Sequence, residues 1–114
     1  MPDCLFCRIA RGEIPAQKVA ENEQAIAFRD INPQAPTHVL VIPREHIADS
    51  AAELGAAHGT ALGAMLALAA EVARREKLEH GWRLVTNVGM HAGQTVPHLH
   101  FHLLGGRAMA WPPG

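Results

Sequence analysis

The sequence has few aromatic residues, few cysteines and no excess of either charge. Aromatic side chains make up 4% of the 114 residues, and tyrosine is absent. Ten basic residues nearly balance eleven acidic ones without forming a basic stripe, so binding to a nucleic-acid backbone is not expected. With 48% hydrophobic and 18% charged residues, the composition argues against disorder. The length predicts a single domain over residues 1–114.

Long hydrophobic runs and targeting signals are also missing. The most apolar stretch, Ala61 to Ala73, is too short to cross a bilayer and is interrupted by Glu71, so no membrane partner is expected. The N-terminus lacks the basic, apolar and small-residue order of a secretory signal. Cys4 and Cys7, in Cys-x-x-Cys spacing, cannot form a disulfide framework. Together these features predict a reducing, cytoplasmic setting.

Hydrophobic periodicity predicts an α+β domain with a mostly antiparallel sheet. A short helix is predicted over Cys4 to Arg11. Apolar residues at helical spacing from Leu54 to Val72 indicate a long helical region, capped at Asp49 or Ser50, ended near Gly81, and divisible into two pieces by Gly59 and Gly63. Five strands are predicted: Lys18 to Ala20, Ala25 to Asp30, His38 to Ile42, Trp82 to Val88 and His98 to Leu104. The first two strands are expected to form a hairpin, but the pattern does not predict the strand order.

Three histidines alternate with apolar residues in the segment His98-Leu99-His100-Phe101-His102-Leu103-Leu104. Because side chains of a strand alternate between its faces, the three imidazoles are predicted to share one face, with Leu99, Phe101 and Leu103 on the other. In a chain of this composition, such a match arises by chance on the order of once in 500. The segment is therefore a strong candidate for a functional site.

Crowding of imidazoles on one face has a consequence for their protonation. Several protonated rings would repel one another, so at least one is expected to stay neutral near pH 7 with its lone pair available. A neutral histidine can attack phosphorus, while its neighbours supply protons or hold anionic oxygens. The preceding segment, Gly89 to Thr95, adds glycines and a hydroxyl suited to binding an anion. Alternating histidines also bind transition metals or form a solvated face, and both alternatives stay open here.

The triad resembles the signature of the histidine triad (HIT) superfamily. Further segments resemble its Hint branch of nucleoside phosphoramidases: Ile14-Pro15-Ala16, Ala27 to Ile31, Pro33 to His38, Gly93-Gln94-Thr95, Leu104 to Arg107 and Trp111 to Gly114. The resemblance implies a five-stranded sheet with one long and one short helix, in a homodimer whose two sheets join. It also implies hydrolysis of the P–N bond of purine nucleoside 5′-phosphoramidates. The expected ligands are AMP, GMP and adenosine phosphoramidates, and no cofactor is required for the chemistry.

The same resemblance implies roles for individual residues. His100 would be the nucleophile that forms a covalent nucleotidyl intermediate, and His102 would help to protonate the leaving amine. His98 and His38 would orient and tune His100. Asp30 would bind the ribose hydroxyls, a role that suits an acceptor-only carboxylate. The phosphate side would be lined by Asn87, Gly93, Gln94 and Thr95, the base would be enclosed by Leu5, Phe6, Ile9, Phe28, Ile31 and Leu40, and Trp111 would approach the partner subunit's site.

The two cysteines raise a separate question about a metal. Two thiolates alone do not complete a tetrahedral zinc site. In some bacterial relatives, a histidine matching His46 and the first triad histidine, here His98, complete one. A structural zinc on Cys4, Cys7, His46 and His98 is therefore a hypothesis, and two reduced cysteines beside apolar neighbours are its alternative.

Two further functions stay open beside the phosphoramidase. One is a purine-nucleotide-binding or interaction protein with vestigial hydrolase activity. The other is a dinucleoside polyphosphate hydrolase. Both would use the same pocket, so only measurements of binding and turnover separate them.

Overall fold

The structure is a computed structural model, and it describes residues 4–114. The helices are α1 (Leu5–Ala10) and α2 (Gly59–Arg75), and the strands are β1 (Lys18–Glu21), β2 (Ala25–Arg29), β3 (Thr37–Pro43), β4 (Trp82–Val85) and β5 (Phe101–Gly105). Short 3₁₀ turns lie at Ala51–Glu53, Ala56–His58 and Met90–Ala92. The predicted domain of residues 1–114 thus begins with three residues that lie outside the described part.

The five strands form one antiparallel sheet in the order β1-β2-β3-β5-β4. β1 and β2 form the predicted hairpin, whose turn is held by Asn22. Its side-chain oxygen accepts the backbone N–H groups of Gln24 and Ala25 at 2.9 and 2.8 Å. The predicted α+β class, with a five-stranded antiparallel sheet, one long helix and one short helix, is confirmed.

Both faces of this sheet are covered, which explains why every residue of β3 is buried. On one face, α2 contributes Met65, Leu68, Ala69 and Val72, which pack with Leu99, Leu103, Val39 and Val41. On the other face, Phe6 of α1 packs with Phe28, Leu40 and Ile42. Alternate residues of β3 therefore belong to different apolar layers, as the pleat of a strand requires. The histidines share the α1 face, so that face carries both packing and polar groups.

Two predicted strand boundaries differ from the structure by several residues, and others differ by one. β5 begins at Phe101 rather than His98, because the Leu99 N–H donates to the carbonyl of Ala48 instead of to a neighbouring strand. The strand predicted from Trp82 to Val88 ends earlier, at Val85. Both corrections shorten a strand on the side of the histidines, where the chain leaves the sheet.

The long helix also differs from its prediction. Ser50 caps the 3₁₀ turn Ala51–Glu53 rather than the helix itself, because its hydroxyl accepts the N–H of Ala52. The helix ends at Arg75, well before the predicted stop at Gly81. Lys77 adopts a φ of 59° there, and the following N–H bonds the carbonyl of Ala73, so a non-glycine residue ends the helix.

The helical segment from Ala56 to Arg75 is long and apolar enough to cross a membrane by length and composition, contrary to the expectation from Ala61 to Ala73. One such helix is weak evidence for a membrane span. Here its buried side chains face the sheet and form most of the helical contribution to the core. We therefore describe α2 as the core helix of this domain.

Truncating the centre of this core is expected to destabilise the fold. Leu68→Ala removes a side chain that is 1% exposed between α2 and the sheet. The expected loss in free energy of unfolding is about 2–5 kcal/mol, because apolar burial is lost and a cavity is left. Urea unfolding at one protein concentration measures it, with Val88→Ala, whose side chain is 44% exposed, as the control. Equal midpoints for the two variants would contradict the packing described.

Candidate functional site

The three histidines of the alternating segment lie on the α1 face of the sheet. Only His102 belongs to β5, while His98 and His100 precede it. The alternation nevertheless continues, because Leu99 and Leu103 are both buried against α2. The rings of His100 and His102 have centroids 5.0 Å apart, and the ring of Phe6 packs edge-on at 5.0 Å from His100 and 5.8 Å from His98. The predicted common face of the three imidazoles is thus present.

His100 has one ring nitrogen tied to the backbone. Its Nδ1 lies 2.7 Å from the carbonyl oxygen of His98, so Nδ1 carries the proton and donates it. In the neutral ring Nε2 then holds a lone pair. Burial lowers the pKa of His100, against the raising effect of that hydrogen bond. The ring is therefore held neutral with a nucleophilic nitrogen.

The carbonyl of His100 is also anchored, by a residue that the sequence analysis did not identify. The Thr86 hydroxyl donates to it at 2.8 Å. Thr86 directly follows β4, the strand that pairs with β5. The sequence analysis predicts a strand through Thr86 and gives the residue no role, because the pairing of β4 with β5 was not predictable from either segment alone.

His38, which is predicted to orient and tune His100, contacts His102 through its ring. The Gln34 N–H donates to Nδ1 of His38 at 3.0 Å, so the proton of the neutral ring is on Nε2. That Nε2–H lies 2.9 Å from Nδ1 of His102 and 3.4 Å from a carboxylate oxygen of Asp30. His102 therefore accepts at Nδ1 and carries its own proton on Nε2.

Both of these rings favour the neutral form. Burial lowers the pKa of His102 to about 4, and the neighbouring His100 and His38 act in the same direction. Burial also lowers the pKa of His38, although the Asp30 carboxylate opposes this. Because Nε2 of His38 carries a proton, this pair is better suited to proton transfer than to holding a metal ion.

A cavity of about 330 Å³ opens beside His100 and His102. This volume is at the lower end of the range for small-molecule sites. Ten of the predicted site residues line it: Leu5, Phe6, Ile9, Phe28, Asp30, Ile31, Leu40, Thr95, His100 and His102. The polar lining residues are His100, His102, Asp30, Thr95 and Arg29, and the other lining residues are apolar. The arrangement suits a ligand with a charged end and a flat apolar end.

Of the residues predicted to bind the nucleotide, the four that do not line this cavity are Asn87, Gly93, Gln94 and Trp111. Gln94 instead holds its own loop together. Its side-chain amide donates to the carbonyls of Asp49 and Val96 at 2.8 and 3.0 Å, and its oxygen accepts the Gly89 N–H at 3.0 Å. The Trp111 side chain is 82% exposed. Its predicted contact is with a second subunit, so a single chain does not contain it.

Five residues that line the cavity are not among the predicted site residues. They are Ile14, Pro15, Ala16, Arg29 and Val96. The first three and Arg29 belong to segments that resemble the family, but the resemblance implies no role for them in the site. Arg29 forms two hydrogen bonds with Glu76 at 2.9 and 3.0 Å, which ties β2 to the end of α2.

A second polar cluster lies on the same face, where α1 begins. Its ligand atoms, from Cys4, Cys7, His46 and His98, all lie within 4.8 Å of one another. Nδ1 of His98 is 3.1 Å from the sulfur of Cys4 and 3.5 Å from that of Cys7, and Nδ1 of His46 is 3.4 Å from Cys7. In a tetrahedral zinc site, sulfur and nitrogen ligands are roughly 3.5 Å apart. The cluster has the donor set and spacing of such a site.

In both histidines of this cluster, Nε2 has a partner outside the cluster, and Nδ1 therefore faces the cysteine sulfurs. Nε2 of His98 donates to the carbonyl of Pro43 at 3.3 Å, and Nε2 of His46 lies 2.6 Å from the Asp49 carboxylate. Such outer partners orient metal-binding histidines. Burial alone would raise the pKa of the Cys4 thiol, but the Cys7 N–H and neighbouring side chains lower it overall. A thiolate at Cys4 is the form that a metal binds.

With this geometry described, comparison with known proteins gives consistent results. A family model for the HIT domain matches residues 11–109. A purine nucleoside phosphoramidase from Escherichia coli is 45% identical over 94% of this chain and 90% of that protein. A 14 kDa zinc-binding protein from Zea mays is 50% identical over 96% of this chain and 87% of that protein.

Solved structures agree with these relatives. The crystal structure of a HIT family hydrolase from Legionella pneumophila is 52% identical, covers 98% of this chain and 100% of that one, and superposes with a TM-score of 0.94. Both the sequence match and the superposition extend over the sheet, α2 and the histidine segment. The chain therefore belongs to the HIT domain family.

Proposed function

We propose that this protein hydrolyses the P–N bond of purine nucleoside 5′-phosphoramidates, such as adenosine phosphoramidate and lysyl-AMP adducts, through a nucleotidyl-His100 intermediate. The observation that carries the proposal is the bond from Nδ1 of His100 to the His98 carbonyl. It leaves an unprotonated Nε2 on a residue that lines the cavity. The similarity to a protein named purine nucleoside phosphoramidase supports the choice of substrate class.

In the first step, Nε2 of His100 forms a bond to phosphorus as the P–N bond breaks. Binding of the anionic substrate favours uptake of one proton from solvent by the His38–His102 pair. The departing nitrogen needs a proton, and the Nε2–H of His102 supplies it, which returns the pair to its neutral form. The proton on Nε2 of His38 lies beside Nδ1 of His102. The His102 ring is therefore oriented to donate its Nε2–H rather than to attack phosphorus. Water then attacks phosphorus, returns a proton to His102 and releases the nucleoside monophosphate. No metal takes part in either step.

The remainder of the cavity suits a purine nucleoside. Phe6, Phe28 and Leu40 offer an apolar surface for the base, and the Asp30 carboxylate can accept the ribose hydroxyls. Thr95 lines the cavity, and we assign its hydroxyl to the phosphate side. Asn87, Gly93 and Gln94 remain assigned to the phosphate side only by the resemblance. AMP and GMP are the expected product ligands.

We also propose that the second cluster binds a structural zinc ion through Cys4, Cys7, His46 and His98. Zinc there would tie the start of α1 to the segment that carries the triad. The similarity to a protein named a zinc-binding protein supports this assignment. We further expect a cytoplasmic location, because both cysteines are free and buried and would stay reduced there.

A homodimer is the last part of the proposal. β4 is an edge of the sheet, so one side of its backbone has no neighbouring strand among residues 4–114. Trp82, the first residue of β4, is 42% exposed and adds an apolar side chain to this edge strand. A second copy would cover this apolar surface, pair the two β4 strands into one sheet, and bring Trp111 of one subunit toward the partner's cavity.

The nucleophile is tested by replacing His100. His100→Asn is expected to lower kcat for an adenosine phosphoramidate by at least ~1000-fold, because a catalytic unit loses its nucleophile. Mass spectrometry after rapid quench should detect an AMP-sized adduct on residue 100 of the unsubstituted protein. The control, His80→Asn, removes an exposed histidine outside the cavity and should retain activity. Full activity of His100→Asn would refute the mechanism.

The same assays separate the other functions. Binding of AMP or GMP with no turnover of any phosphoramidate would indicate a nucleotide-binding protein. Turnover of dinucleoside polyphosphates in preference to phosphoramidates would indicate a polyphosphate hydrolase. Either result would replace the proposed activity while retaining the cavity as the nucleotide site.

The zinc site is tested by metal content and thermal stability. Elemental analysis of protein purified without chelator should find about one zinc per chain, and Cys7→Ser should remove most of it. Chelation should lower Tm, because zinc binding is coupled to folding. The control, Ser50→Ala, changes a nearby buried hydroxyl outside the cluster and should retain the metal. Protein that contains no zinc, and whose Tm does not respond to added zinc, would contradict the site.

The dimer is tested by mass in solution. Light scattering should give about twice the 12.3 kDa of one chain. Trp82→Glu should shift the protein toward the monomer, because a charge at the contact must be desolvated. Lys18→Glu places the same charge on β1, the opposite edge strand, and should leave the mass unchanged. A monomer at micromolar concentration would rule out the proposed interface.

A further inference from the structure

A row of hydrogen bonds leads from the surface to the ring proposed as the proton donor. The guanidinium of Arg107 donates through Nε and Nη2 to the carbonyl of Gln34, at 3.2 and 3.1 Å. The N–H of Gln34 donates to Nδ1 of His38 at 3.0 Å, and Nε2 of His38 lies 2.9 Å from Nδ1 of His102. Arg107 is thus connected to His102 without touching the cavity.

The turn that presents Arg107 is built for close approach. Gly106 has a φ of +90°, in the region that side chains rarely adopt, and a Cβ there would lie 2.9 Å from the Cβ of Pro36. The backbone after β5 can therefore lie directly against the connection between β2 and β3. This contact brings the guanidinium of the next residue over the carbonyl of Gln34.

Residue 34 has few other restraints. Within the connection from residue 30 to residue 36, Asp30 accepts the N–H of Asn32, and the Gln34 side chain donates to the carbonyl of Asn32. These bonds stay inside the connection. Among the hydrogen bonds of the described residues, those from Arg107 are the ones that link this connection to the turn after β5.

We propose that Arg107 is a positioning residue for catalysis, which keeps the Gln34 N–H on Nδ1 of His38 and so fixes the proton of both His38 and His102 on Nε2. When that N–H moves away, Nδ1 of His38 can take the proton. Nε2 of His38 then becomes an acceptor, and His102 turns its own proton inward to meet it. His102 would then face the cavity with a lone pair instead of the N–H that the leaving amine needs. The catalytic consequence rests on the proposed function, but the tautomer assignment does not.

The test compares Arg107→Ala and Arg107→Lys with a matched control. Arg75→Ala removes another exposed arginine that donates to a backbone carbonyl, that of Val19, on the opposite face of the sheet. The nitrogen shifts of the histidine rings, measured by NMR above pH 7 in the substrate-free protein, report which nitrogen carries each proton. Kinetics with an adenosine phosphoramidate report kcat and KM separately.

We expect Arg107→Ala to lower kcat by about 10- to 100-fold with little change in KM, as is typical when a group that orients a reacting side chain is lost. The His38 and His102 signals should shift from a single Nε2–H form to a mixture. Arg107→Lys, which retains one charged donor, should recover part of both, and Arg75→Ala should change neither.

A folded Arg107→Ala protein with unaltered ring tautomers would overturn the inference, whatever its activity. A fall in kcat with unaltered tautomers would also overturn it, because the loss would then have another cause. If the unsubstituted protein turns over no phosphoramidate, the proposed function fails, and the NMR comparison still decides the role of Arg107.

Discussion

Each histidine around this site has one ring nitrogen engaged by a neighbouring group, and this constraint determines what the other nitrogen can do. His100 donates Nδ1–H to a carbonyl, whereas His38 accepts an N–H at Nδ1. His98 and His46 have their Nε2 atoms held by Pro43 and Asp49. Under the proposed roles, chemically identical side chains thus become a nucleophile at His100, a hydrogen-bond donor to His102 at His38, and two candidate metal ligands at His98 and His46. The differences come from backbone groups and one carboxylate rather than from the residue type.

The sheet explains why these rings can be placed so differently within a short segment. Alternation sends Leu99 and Leu103 into the core under α2 and leaves the histidines on the α1 face. The segment before Phe101 leaves the strand, so the backbone at His98 is available to His100 instead of to β3. α1 completes the face, because Phe6 packs against two of the rings while Leu5 and Ile9 line the cavity. Cys4 caps the N-terminus of that helix and also belongs to the second polar cluster, the candidate metal site.

Local pattern was sufficient to predict the strands, the hairpin and the common face of the triad, because these depend on neighbours in the sequence. It was not sufficient for contacts made across the fold. The approach of Cys4 to His98 spans 94 positions, and the contact of His38 with His102 depends on the pairing of β3 with β5. The helix stop was also misplaced, since Lys77 adopts a conformation for which glycine is the usual signal. Arg107 belongs to a segment that resembles the family, but its hydrogen bonds to the carbonyl of residue 34 could not be predicted from the sequence.

Burial of His100 and His102 beside the cavity has a further consequence for the proposed catalysis. In the substrate-free protein, burial lowers the pKa of both His100 and His102 and so favours the neutral form of each ring. A bound phosphoramidate brings negative charge to the same rings, which favours protonation. Under the proposed mechanism the substrate therefore raises the proton affinity of the ring that must donate, while Nδ1 of His100 stays committed to its carbonyl. The proposed nucleophile and acid thus carry their protons on different ring nitrogens before the substrate binds. The charge of the substrate then changes their proton affinities but does not assign their roles.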